Sequence, residues 1–124
     1  MTIRDDELLD EVPPMPPGVH LQATFCVPAD HPVLAGHFPG APLVPGVMLL
    51  VAVADAHTRA TGRRSELVAV DDARFQAPLL PAQPARLHAA CELDDASGEI
   101  VVAGEWLGTA GRLAVFRVRL RVQA

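Results

Sequence analysis

The sequence has no lysine. Its ten basic residues are all arginine, against fifteen acidic ones, for a net charge of −5. With a pI near 5.4, that balance excludes a general nucleic-acid binder. Cysteine is scarce. Cys26 and Cys91 stand far apart and form no CxxC or Cys/His metal spacing. Both lie in strand-like apolar runs, which predicts buried, reduced thiols. None of the five histidines has the spacing of a His-x-x-x-His site, so no metal and no cofactor are expected.

Long apolar runs are missing too. The longest, "VMLLVAVA", falls well short of the ~20 residues that a membrane span needs. The first residues, "MTIRDDELLDEV", are acidic and lack the apolar core of a signal peptide. A cytoplasmic protein that neither crosses a membrane nor binds nucleic acid is the expectation.

What is present suffices for one core: 124 residues, half of them apolar. Residues 1–18 end in "PPMPPG", a polyproline-like arm unsuited to the middle of a sheet. Residues 19–124 are expected to form a single domain. "HLQATFCV" reads as a strand closed by Pro28, and "PADHPVLAGHFPGAPLVPG" as a long loop. Pro39, Pro42 and Pro45 restrict that loop, so it has little entropy left to lose and suits a preorganised site. A helix follows from Pro45 or Gly46, where proline is tolerated, to Gly62, a good C′ residue. Residues 47–54 are apolar on every side, which predicts a helix wrapped by protein over its first two turns.

The wrapping is assigned to the second half. "ELVAVDDARFQAP", "ARLHAACEL", "EIVVAGEWLG" and "RLAVFRVRLRV" read as strands, with turns at "DDASG" and "TAG". Leu87, Ala89, Cys91 and Leu93 fall on one face. In the last strand Ala114, Phe116, Val118, Leu120 and Val122 point inward, with Arg117, Arg119 and Arg121 on the solvated side. One helix and about five antiparallel strands make an α+β domain, a sheet curled round a helix, as in the hotdog fold.

"GHFPGAPLVPGVMLL" and, downstream, "VDDARFQAPLLPAQ" resemble the 3-hydroxyacyl-(acyl carrier protein) dehydratases, hotdog enzymes of fatty-acid synthesis. The likeness extends over residues 23–122, with a short Pro-rich arm before it, as in compact dehydratase-like proteins of specialised lipid and polyene pathways. It implies that His37 is the imidazole that takes the proton α to a thioester carbonyl, work suited to a group that titrates near neutrality. It also implies that the Gly46 or Val47 amide polarises that carbonyl at the helix start. Phe38, Val44 and Val47 would line the acyl path, and Phe75, Leu79 and Trp106 would set its depth.

The departure is Val51, where the family carries Glu or Asp to protonate the leaving hydroxyl. Asp55, one turn later on nearly the same face, is the candidate substitute. It also forms an ordinary i,i+4 pair with Arg59. His31 reads as a turn residue, His57 as a partner of the helix dipole or solvent, and His20 and His88 as exposed.

The implied partner is an acyl thioester on acyl carrier protein or coenzyme A, with Arg63, Arg64 and Arg74 as a rim for the acidic carrier. The implied assembly is a homodimer, or a heterodimer with an acid-bearing relative. Three activities stay open: a dehydratase, a non-catalytic thioester-binding or heterodimer-partner subunit, and a hotdog thioesterase.

Overall fold

A computed structural model describes residues 19–30 and 44–123. The expected arm and most of the proline-braced loop, with His31, His37 and Phe38, lie outside the described residues. The elements run β1 (Val19–Phe25), α1 (Gly46–Thr61), β2 (Ser65–Phe75), β3 (Ala85–Leu93), β4 (Ile100–Gly108) and β5 (Gly111–Val122). Among the described residues the strands form one antiparallel sheet in the order β1-β3-β4-β5-β2, with α1 against one face. This is the hotdog arrangement.

Period-two alternation builds the core. Leu21, Leu87, Ala89, Val102, Trp106, Phe116, Val118 and Leu120 are buried beneath Leu49, Leu50 and Val53 of the helix. Trp106 also donates its indole Nε1–H to the Leu49 carbonyl (2.8 Å), tying the centre of the sheet to the first turns of α1. The helix ends at Gly62, whose φ of 74° is the left-handed conformation that glycine adopts at least cost.

Two irregularities shape the edge strand β2. Register shifts against β5 leave Val68 and Asp71 as extra residues. The second supplies Asp71 to Arg119, an ion pair at 3.1 Å, and Arg119 reaches Asp94 at 2.9 Å. The outward side of β5 is therefore only partly solvated: Arg117 and Arg121 are exposed, whereas Arg119 is half-buried in its carboxylates.

Several expectations need correction. The helix is not sheathed all round: Val47 is 59% and Val51 53% exposed. Cys91 is buried, and burial pushes its thiol up to about 11; Cys26, one residue past β1, is exposed. Leu93, the last residue of β3, is exposed, and Val122 is half-buried. His57 is buried and hydrogen-bonded through Nδ1 to Ser65 Oγ (2.6 Å), not turned to solvent. His20 is exposed as expected, but His88 is half-buried.

Candidate active site

The start of α1 is built by contacts from far along the chain. Pro45 precedes the first turn with an extended ψ of 137°, no side chain caps it, and no acidic residue lies in that turn. The Met48 N–H bonds back to the Pro45 carbonyl (3.0 Å). The Gly46 and Val47 N–H groups have no hydrogen-bond partner among the described residues, as the geometry of a helix start dictates. They join the positive end of the helix dipole and can stabilise negative charge developing on a carbonyl oxygen.

The last residue of β2 and one residue of the β2–β3 connection hold this helix start. Val44 forms an isolated antiparallel bridge with Leu79, its N–H bonding the Leu79 carbonyl (3.0 Å). Phe75 lays its ring on Gly46, where a Cβ would stand 2.8 Å from Cε1. A side chain at position 46 would therefore require the half-exposed Phe75 ring to move aside. The stretch "RFQAPLL" therefore carries the residues that position the helix start. Of the three residues expected to set tunnel depth, Trp106 and Leu79 are buried in the core and Phe75 is half-exposed.

Val47 and Val51 are one turn apart on the open side of α1, with exposed Val70 and Phe75 on the neighbouring strand. A cleft of about 770 Å³ borders Val51, Asp55, Thr58, Ser65 and Leu67. Asp55 lies on its rim, paired through Oδ2 with Arg59 Nη2 (3.1 Å); both side chains are largely exposed. A second groove, about 560 Å³, runs on the other flank of α1 past Phe25, Cys26, Ala52 and Ala56.

Gly46, Val47, Val51 and Asp55 thus follow one another along a single helix, with Val51 facing a cleft and offering no proton. The three arginines expected to form a rim are divided. Arg74 pairs with Asp72 (3.3 Å) and precedes Phe75, the residue whose ring lies on Gly46. Arg63 and Arg64 follow the far end of α1, roughly 24 Å away along a helix of this length. Among the described residues no group of three or more His, Cys, Asp or Glu could hold a metal. No described helix is long and apolar enough to cross a membrane.

Residues 16–103 match the family described as ApeI-like, ApeI dehydratase. The chain belongs to that family. The dehydratase from Symbiobacterium thermophilum named 3-hydroxyacyl-[acyl-carrier-protein] dehydratase FabZ is 32% identical over 124 residues, 94% of this chain and 81% of that protein. The FabZ of Pseudoalteromonas translucida is 39% identical over 90 residues, 65% of this chain. Against that protein and the FabZ of Anaeromyxobacter sp., the ApeI-like chain spans only 60% and 58% of their length.

Among solved structures, the dehydratase heterocomplex ApeI:P from Xenorhabdus doucetiae superposes with a TM-score of 0.60 at 19% identity, covering 82% of this chain and 86% of that one. A point mutant of the fluoroacetyl-CoA-specific thioesterase FlK gives 0.67 at 16% identity, with 89% of each chain covered. At such identities both likenesses establish the hotdog fold. The sequence relatives establish a dehydratase-like member of it.

Proposed function

We propose that the chain dehydrates 3-hydroxyacyl thioesters, on acyl carrier protein or coenzyme A, to trans-2-enoyl thioesters. His37 takes the proton from the carbon α to the thioester carbonyl. The Gly46 and Val47 amides stabilise the enolate oxygen as it forms. The C–O bond at the β carbon then breaks, and the hydroxyl leaves with a proton as water. Phe38, Val44 and Val47 line the acyl path, and Val51 forms an apolar wall where a proton donor would ordinarily stand. That proton comes from Asp55 through water, or from a partner chain.

The observation that carries this reading is the dehydratase-family likeness together with an uncapped, Phe75-braced helix start preceded by the His-Phe-Pro-Gly segment. It acts in the cytoplasm as one domain, residues 19–124, preceded by an arm, residues 1–18.

The exposed side chains of Val47, Val51, Val70 and Phe75 beside the open edge of β2 support pairing with a second hotdog chain. That chain is a second copy or a relative carrying the acid that Val51 lacks. Val51 favours a second reading, in which the homodimer binds the thioester without turning it over.

The test is turnover of 3-hydroxyacyl- and enoyl-acyl carrier protein by purified protein, with free thiol measured alongside. Interconversion that His37→Ala abolishes supports the dehydratase. Turnover unchanged in that variant overturns the assignment, and thiol release without interconversion identifies a thioesterase.

A further inference from the structure

The face of the sheet turned away from α1 carries a cluster of polar side chains. His88 on β3 stands between Gln22 on β1 and Glu105 on β4, its register partners to either side. Two residues back, Arg86 stands likewise between Thr24 and Leu107. Such cross-strand neighbours have their Cβ atoms about 5 Å apart, so this is one contiguous array. Its orientation is fixed by alternation, since Leu87, Ala89 and Trp106 point the other way into the core.

Two observations set this array apart from ordinary sheet surface. Its central nitrogen, His88 Nδ1, is buried and has no hydrogen-bond partner among the described residues. Buried polar groups are nearly always paired, so an orphaned imidazole nitrogen calls for a reason. The array also borders a cavity of about 290 Å³, lined by Gln22, Thr24, Arg86, His88 and Leu107. That volume exceeds what a single water fills.

The chemistry of the lining selects the ligand. Arg86 is a permanent cation with a planar fork of donors, and Thr24, Gln22 and His88 each have an N–H or O–H to give. No acidic residue is among the described lining. The nearby carboxylate, Glu105, is fully buried and held by Arg112 Nε at 2.8 Å. Donors that border one cavity, a guanidinium among them, fit an oxyanion.

We propose that this outer-face cavity binds a small oxyanion, a phosphate ester or a carboxylate, through Arg86, Thr24, Gln22 and His88. The sheet separates it from the start of α1, so the site stands or falls independently of the dehydratase reading.

Titrating isotope-labelled protein with inorganic phosphate and, separately, with acetate tests this by NMR of the His88 ring and the Arg86 side chain. Saturable shifts at both residues are expected, with binding about ten-fold weaker in Arg86→Gln, the loss of one charge-assisted contact. Saturation by phosphate alone marks a phosphate ester as the ligand, and saturation by acetate alone marks a carboxylate. Shifts that sodium chloride reproduces at equal ionic strength, or that persist unchanged in both Arg86→Gln and His88→Gln, overturn the proposal. So does the absence of any shift.

Discussion

Phe75 and Gly46 are 29 positions apart, yet the ring of one occupies the space a side chain would need on the other. The contact makes the first turn of α1 depend on the end of β2. Gly46→Ala pushes the half-exposed ring aside and is expected to destabilise the fold by up to about 1 kcal/mol, the low end of the cost of overpacking. Phe75→Ala empties that space, so adding Gly46→Ala to it should cost markedly less. Urea unfolding of the two single variants and the double variant measures the coupling. Purely additive losses would show that the ring and the helix start do not bear on one another.

Trp106 acts on the same turn from below. Its side chain is fully buried and its indole N–H bonds the Leu49 carbonyl. Trp106→Phe keeps an aromatic ring but loses the donor and some volume, and should cost about 1–3 kcal/mol. Trp106→Ala should cost about 3–5 kcal/mol. Denaturant midpoints at constant m-value decide this. A neutral Trp106→Phe would mean that the hydrogen bond adds nothing.

His57 gives the fold a dependence on pH. Burial holds its pKa below the ordinary 6.5, so the folded chain keeps the ring neutral at pH values where the unfolded chain has begun to protonate it. Between those two values the unfolded state binds more protons, and unfolding becomes easier as pH falls. The stability is fully present above 6.5 and is lost as pH drops through the folded value. Urea midpoints from pH 8 down to 5 should decline, and the decline should flatten in His57→Gln. An identical slope in the variant would assign the effect to other groups.

How far the molecule could be read from its sequence varies by residue. Gly62 and Pro45 bounded the helix because each has a steric reason to stand at a terminus, and clean alternation told the two faces of β5 apart. Val47 and Val51 were misjudged because an all-apolar helix looks the same whether its own sheet or a second chain covers it. His57 was misjudged because its partner, Ser65, lies across a turn whose path no local pattern encodes. The register shifts that deliver Asp71 to Arg119 were equally hidden, since both arise from pairing between strands distant in sequence. Of the candidate site, the helix start was legible from Pro45 and Gly46. The bracing by Phe75, Leu79 and Trp106 was not, because it rests on contacts 29 to 57 positions apart. His37 and Phe38 lie outside the described residues.

Val51 is where the proposed chemistry can be tested by gain. Its side chain is 53% exposed, so Val51→Glu places a carboxylate at a position open enough to accept it with little loss of stability. General acid catalysis contributes about 10²–10⁴-fold, and a competent scaffold lacking only the acid should recover at least the lower part of that range. The gain should appear in kcat rather than KM, because a proton delivered to the leaving hydroxyl acts in the transition state. It should also vanish when His37→Ala is added, since the acid has no work to do without the base. An unchanged rate in Val51→Glu, in a variant that still folds and binds the thioester, would leave thioester binding as the role of this chain.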